Sequence, residues 1–360
     1  MYKSLLFLFF LKIIIAYNII IIPGMGGSVL YNLKNKKIWP PDISMNFKEL
    51  NMNFDKNNDP IIETNIKIGN ILDIKIDNPT TFILTKNVYY YNLIKYLQED
   101  NHNLYAFPYD FRYVLFKNYQ QILYKKFKNF IEEKFNNNEK LIIVCHSLGG
   151  LVFHHFLTTF VDEIWYNKFI SKIYFVNVPF GGCPLSLYAI IDSLEKKNEE
   201  ESLSKNNQIV PVLNKKIKDL YLFSSFYMTL PITNEPILRK NDVWYNTRNL
   251  QEFFKYNNKV NKMYKLFENE HILNKLNGIN LDTNVIYCIG KNTTSFLDYE
   301  SRISLSSDGD GIVTKNSMII PKLWKTNPNL ICVENMEHSK INNHLPFIRM
   351  ISENKDKLII

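Results

Sequence analysis

The sequence predicts an α/β protein with a mostly parallel central sheet, helices on both faces and an inserted cap or lid. Three observations predict it. Apolar runs such as Asn18–Ile22 and Leu141–Val144 read as parallel strands buried on both faces. Longer segments with apolar residues at helical spacing alternate with these runs. The alternation then stops between residues 185 and 265, which reads as an insertion into a sheet protein. The chain has 360 residues, 46% of them apolar, enough for one large core or a core with a cap. The expected division is a leader over 1–16, a core over 17–184 and 266–360, and a cap over 185–265.

Composition excludes some partners. The formal net charge is +8, but the basic residues are scattered among Asn, Ile, Tyr and Phe. No basic block marks a nucleic-acid partner. The diffuse charge suits an anionic membrane, and it is equally what a Lys-, Asn- and Ile-rich composition produces. The four cysteines, Cys145, Cys183, Cys288 and Cys332, lie far apart with no CxxC, so no zinc site is expected. Their spacing leaves bridging open. No metal or cofactor is expected.

Residues 1–16 place Lys3 before an apolar run interrupted by Lys12 and ending at Ala16. A central Lys in a membrane span costs about 2.5–3.5 kcal/mol. The run therefore suits a signal peptide, with an uncleaved anchor or a buried strand as the alternatives. A signal implies a secreted or endomembrane-lumen protein. The strand Asn18–Ile22 leads into Pro23-Gly24-Met25-Gly26-Gly27-Ser28, whose glycines free backbone N–H groups to face a ligand. The loop lacks the Lys and Ser/Thr of a P-loop. Residues 39–54, with Trp39 and Phe47, are apolar and irregular; they either meet a lipid surface or form core under a loop. Ile66, Ile68, Ile71, Ile74 and Ile76 suggest a hairpin turned at Gly69-Asn70. A helix over Val88–Leu97 and a strand over Asn103–Ala106 follow. Asp110 and Arg112 of Pro108–Arg112 can form a partly buried ion pair that holds a loop. Tyr119, Leu123, Phe127 and Phe130 mark an amphipathic helix.

Leu141–Gly150, LIIVCHSLGG, then reads as strand, sharp turn and helix. This context pushes a serine, Ser147, out of the backbone as a nucleophile. Gly149 supplies one of the small residues that the turn needs. Cys145 stands where the G-x-S-x-G pattern has its first glycine. Beside such a serine, the Gly24–Gly27 loop is one wall of an oxyanion hole, with Met25 N–H and Leu148 N–H as donors.

The helix continues over Leu151–Phe160, where His154 and His155 are packing or surface residues. A strand over Lys172–Val178 ends in Pro179-Phe180-Gly181-Gly182, expected beside the site at the carboxyl ends of the strands. The charged run Glu195–Lys205 reads as a solvated loop. A strand over Asn284–Ile289 returns to the sheet. Ser306–Val313 reads as a calcium loop or a catalytic acid turn, with too few acids for calcium. A last strand spans Leu330–Val333, and a closing helix Ile341–Ile351. Ser147, Asp310 and His338 thus follow predicted strands in the chain order of the α/β-hydrolase triad. Asp308 is the rival acid, and His344, inside a predicted helix, the rival base.

With these pieces in place the chain resembles the lecithin:cholesterol acyltransferase family. The matching motifs are IIPGMGGSVLYN, PYDFR, VCHSLGG, NVPFGG, SSFYMTLP, DGDGIV and MEHS, in the family's order from Ile20 to His338. The resemblance implies Ser147 as nucleophile, Asp310 as acid, His338 as base, and oxyanion donors at Met25 and Leu148. It implies a membrane-associated enzyme that moves an acyl group from a glycerophospholipid to water or a lipid alcohol. It maps a membrane-contacting segment to 39–54, where no cysteine supplies the disulfide of some relatives. Trp39, Phe47, Phe180 and Tyr227 are the candidate substrate or membrane contacts. The aromatics of the insertion line an acyl pocket or form the cap's own core. The competing readings are a neutral acylglycerol lipase or esterase with the same triad, and a catalytically dead lipid-binding protein.

Overall fold

In the computed structural model, residues 16–40, 47–57, 59–74, 90–135, 139–195, 217, 219–271, 277–301 and 303–358 are described. The strands in chain order are β1 (Asn18–Ile22), β2 (Leu30–Asn32), β3 (Lys37–Trp39), β4 (Thr64–Asn65), β5 (Asn103–Ala106), β6 (Leu141–His146), β7 (Ile170–Val176), β8 (Leu238–Lys240), β9 (Val243–Tyr245), β10 (Thr283–Cys288), β11 (Lys291–Asp298), β12 (Ser304–Gly309) and β13 (Asn329–Val333). Five helices bear on the site: α1 (Tyr91–Glu99), α2 (Lys117–Lys134), α3 (Leu148–Thr159), α4 (Glu163–Phe169) and α5 (Pro184–Leu194). The leader, most of the charged run after Glu195, and Ile76 of the expected hairpin lie outside the described residues.

Six strands form the central sheet in the order β13-β10-β7-β6-β1-β5, and every pair in it is parallel. The inner strands β1 and β6 are almost entirely apolar and buried because both of their faces are covered. Ile20, Ile22, Ile143 and Phe175 join the core cluster that also holds Phe127 of α2 and Phe156 of α3. Ile19, Ile21, Ile142 and Val176 join the opposite cluster, with Leu93 and Leu97 of α1 and Phe347 and Ile351 of the helix Leu345–Ser352. Alternate side chains thus feed two cores. Each fully buried Ile contributes about 1.5–3 kcal/mol relative to exposure. This is the α/β-hydrolase arrangement.

A second sheet, β12-β11-β8-β9, joins two strands of the insertion to two strands from after it. The pairing of β8 with β11 therefore runs across the border expected at residue 265. A third sheet, β3-β2-β4, ends at Asn65, before the segment where the sequence suggested a hairpin. Among the described residues up to Ile74, no strand follows Gly69: Asn70 caps the 3-10 turn Ile71–Asp73 by accepting from Leu72 N–H, and Gly69, at φ +93°, donates to Ala106 O. The predicted closing helix is split into a 3-10 turn, Lys340–Asn343, and the helix Leu345–Ser352, with His344 at the junction. Among the described residues, no helix is long and apolar enough to cross a membrane.

Candidate active site

Ser147 sits between β6 and α3 with φ 53° and ψ −129°, a conformation disfavoured for a residue with a Cβ. Close packing on both sides enforces it. A Cβ on Gly149 would lie 2.3 Å from Pro23 O, and one on Gly150 2.2 Å from Val178 Cγ2. Helix and strand can approach this closely only with glycine at both places. Cys145 is buried in β6 and fits where the pattern has glycine. Burial pushes its thiol pKa well up.

His338 and Asp310 complete a hydrogen-bonded row with this serine. His338 Nε2 lies 2.8 Å from Ser147 Oγ, and His338 Nδ1 lies 2.6 Å from Asp310 Oδ2. The Asp310 carboxylate is fully buried, and its Oδ1 accepts from Ile312 N–H and Val313 N–H at 3.0 and 2.7 Å. A carboxylate needs such donors to stay ionised out of water. His338 N–H also donates to Asp310 O, so the two loops are tied through backbone as well as side chains. Asp310 follows β12, an antiparallel strand outside the central sheet. The rival acid Asp308 instead accepts from Gly290 N–H. His338, not His344, reaches the serine.

The Gly24–Gly27 turn lies against the serine: a Cβ on Gly24 would stand 3.0 Å from Ser147 Cβ. Met25 is half-buried in this turn, and Leu148 opens α3. Among the described residues, neither Met25 N–H nor Leu148 N–H has a protein acceptor. A serine on an elbow, a histidine oriented by a carboxylate, and two nearby free N–H groups are the parts of a covalent acyl-transfer site.

The remaining candidate residues are mostly buried. Phe180 is fully buried and packs edge-on against Phe175, His154 and Trp324, away from any surface that a membrane could reach. Trp39 is also buried. Its Nε1–H donates to Gly26 O at 2.7 Å and its ring meets Phe111, so it props the Gly24–Gly27 turn. Phe47 is half-buried at the start of the 3-10 turn Phe47–Leu50, beside buried Leu50 and Met52. Tyr227 is fully buried against Phe254, and among the described residues its hydroxyl has no hydrogen-bond partner. Of the two readings of 39–54, its described apolar residues follow the core reading.

The ion pair is deeper than expected. Arg112 binds Asp110 through Nε and Nη2 at 3.0 and 2.7 Å, and both side chains are buried. Burial opposes the charge on Arg112, and Asp110 more than offsets it, so the guanidinium pKa is held above its ordinary value. Arg112 Nη1 donates to Leu50 O, Thr64 Oγ1 donates to Asp110, and Arg112 O accepts from Ser224 N–H and Oγ–H. One buried pair thus fastens three segments beneath the site. The 229–232 segment is fastened in turn to the Gly181-Gly182 loop, through Cys183 N–H to Thr229 O and Ile232 N–H to Gly181 O. Cys183, whose Sγ–H donates to Ile312 O, has its pKa pushed up by burial to about 12 and stays a thiol. All four cysteines are free, including Cys288 and Cys332 on adjacent β10 and β13.

Two residues escaped the sequence reading. His146, the last residue of β6, is buried beside the row, and burial lowers its pKa to about 3. A histidine in a strand buried on both faces must find polar partners, and that was the available signal. Tyr90 is its partner, and nothing local in the sequence marks it.

A sequence model of the lecithin:cholesterol acyltransferase family matches residues 71–291. No curated protein matches the chain. Among solved structures, the Tle4–Tli4 complex contains a chain 11% identical, with 94% of this chain and 97% of that one covered and a TM-score of 0.48. MGS-M2, an alpha/beta hydrolase enzyme from a Medee basin deep-sea metagenome library, is 12% identical, with 65% and 70% covered and a TM-score of 0.32. A marine microorganism esterase is 14% identical, with 73% and 88% covered and a TM-score of 0.33.

Proposed function

The chain belongs to the lecithin:cholesterol acyltransferase family, and from that premise we propose that it cleaves a fatty-acyl ester of a glycerophospholipid through an acyl-serine intermediate. The observation that carries the reading is the Ser147–His338–Asp310 row on a strained elbow. His338 Nε2 takes the Ser147 proton as Oγ attacks the ester carbonyl, while Asp310 holds Nδ1–H and stabilises the imidazolium. Met25 N–H and Leu148 N–H receive the oxyanion; losing one such donor costs about 2.7–4 kcal/mol of barrier. His338 then protonates the leaving alcohol, which departs as the lysophospholipid. Water releases the fatty acid, a phospholipase A reaction. A lipid alcohol such as a sterol or diacylglycerol takes the acyl group in an O-acyltransferase reaction. We place the enzyme in the secretory route, at a membrane surface, on the apolar leader over 1–16.

The test is a mass-resolved assay on phosphatidylcholine liposomes, with and without sterol or diacylglycerol, comparing the full chain with Ser147→Ala. The expected result is lysophospholipid formation that Ser147→Ala reduces about 10⁴-fold or more. Free fatty acid identifies water as acceptor, and a new ester identifies the lipid alcohol. Faster cleavage of triacylglycerol would replace the phospholipid reading by a neutral lipase. No Ser147-dependent product from any lipid would leave a binding protein.

A further inference from the structure

The acyl-transfer row needs its two loops in one register: Gly24–Gly27, which carries an oxyanion donor, and the loop that carries His338. No side chain of the row itself connects them. A buried chain of hydrogen bonds does. Gly24 N–H donates to Tyr90 Oη at 2.9 Å. Tyr90 Oη lies 3.0 Å from His146 Nδ1, and His146 Nε2 lies 3.0 Å from His338 O.

The direction of this chain follows from chemistry. A carbonyl oxygen can only accept, so His146 Nε2 carries a proton and donates it to His338 O. Burial holds His146 neutral, so its Nδ1 is bare and must accept from Tyr90 Oη–H. The Tyr90 oxygen is then left to accept from Gly24. Each of these three bonds then has one donor and one acceptor, and reversing the His146 tautomer would set a lone pair against the His338 carbonyl. A second donor, Asn177 Nδ2–H, reaches the same carbonyl at 3.0 Å, while Asn177 Oδ1 accepts from Cys288 N–H and so fixes the amide's orientation.

Backbone geometry points the same way. Tyr90 has φ 64° and Asn177 φ 50°, beside Ser147 at 53°. A left-handed conformation is uncommon for a bulky tyrosine. Strain of this kind persists where the surroundings over-determine it, and it collects at functional sites. Here it aims the buried Tyr90 hydroxyl between Gly24 and His146.

We propose that Tyr90 and His146 are positioning residues for acyl transfer, a relay that locks the oxyanion turn and the His338 loop to each other across Ser147. The proposal rests on the acyl-transfer reading of Ser147. Neither residue touches the reacting atoms; they act through Gly24 and through the backbone of His338.

The test uses the full chain and four variants: Tyr90→Phe, His146→Leu, His146→Gln, and Tyr90→Phe with His146→Leu. Two rates are read for each: phosphatidylcholine hydrolysis resolved into kcat and KM, and covalent labelling of Ser147 by a fluorophosphonate. Thermal unfolding gives the folded fraction to which rates are normalised. Tyr90→Phe and His146→Leu lower kcat and the labelling rate about 10- to 100-fold with KM little changed, the size expected when reacting groups shift by a fraction of an ångström. His146→Gln recovers most of the loss, because its amide N–H can reach the His338 carbonyl. The double variant is no worse than the poorer single one, since both cut one chain. The proposal is overturned if both single variants keep wild-type rates per folded molecule. It is also overturned if their effects multiply while Gln serves no better than Leu. Labelling separates the two levels of the argument. A wild type that labels at Ser147 but ignores phospholipid loses only the substrate assignment, and labelling rates still decide the relay. A wild type with no Ser147-dependent labelling ends the acyl-transfer reading and the relay together.

Discussion

At the carboxyl ends of the central strands His338 stands between Ser147 and Asp310; at the amino ends Ser352 stands between His102 and Asp100. The residue types are the same and the wiring differs. Asp310 accepts a hydrogen bond from His338 Nδ1–H, which leaves Nε2 of the neutral ring bare toward the serine. His102 Nδ1 accepts from Tyr17 N–H at 3.1 Å, so in its neutral form Nε2 holds the proton and donates to Ser352 Oγ, which passes its own proton to Asp100. Burial lowers the His102 pKa and favours that neutral form. Ser147 is half-buried on a left-handed elbow, whereas Ser352 is buried in the last turn of a helix. The second group therefore has a serine without a base. What makes a nucleophile is which imidazole nitrogen is left unprotonated, and the partner of the other nitrogen decides that.

The carboxylates give the widest separation between the two groups. Asp310→Asn keeps the shape of the site but removes the acceptor that fixes the His338 tautomer, so kcat is expected to fall about 10⁴-fold. Asp100→Asn leaves kcat unchanged. A parallel liposome assay of the two variants checks this, and an equal loss in both would erase the distinction drawn above.

Acid stability separates the histidines next. His146 and His102 are both neutral in the fold because burial lowers their pKa values. The unfolded chain therefore binds more protons below about pH 6.5, and stability falls as pH falls. For His146, with a folded pKa of about 3, the loss is about 1.4 kcal/mol per pH unit between about pH 6.5 and pH 3. Denaturant unfolding at a series of pH values measures the slope. His146→Gln removes this contribution and flattens the curve, and His102→Gln flattens it in the same direction. An unchanged slope in His146→Gln would mean that its ring is solvated.

How legible all this was depended on whether a residue's role was local. β1 and β6 were readable because strands covered on both faces leave unbroken apolar runs, Ile19–Ile22 and Leu141–Val144. Ser147 was readable because the elbow places its requirements within four residues. β8 and β9 were not: Leu-Arg-Lys and Val-Trp-Tyr are three-residue strands that pair with each other, and β8 joins a sheet only through β11, more than fifty residues later. The isoleucines around Gly69-Asn70 matched a strand period, but the Asn70 cap and the Gly69 bond to Ala106 O prevailed locally. Phe180 was assigned to the site because its loop ends there, although its ring turns back between His154 and Trp324. Tyr90 became visible only when the fold brought it to His146, fifty-six residues away.

The smallest effect closes the contrast, because it runs opposite to activity. Ser352→Ala leaves His102 Nε2–H and an Asp100 oxygen each short of one buried partner. Leaving a buried donor unsatisfied costs about 1–3 kcal/mol. Access of water to the partly exposed Asp100 keeps the expected loss near the lower end, about 1 kcal/mol, with the liposome rate unchanged. Ser147→Ala should do the reverse. It removes a hydroxyl whose only side-chain partner among the described residues is the His338 ring, so unfolding free energy is expected to be kept or slightly raised while turnover disappears. Chemical denaturation of the two variants beside their turnover gives four numbers. A serine that served structure at both ends would lower stability in both variants; the wiring described here requires the two losses to fall on different proteins.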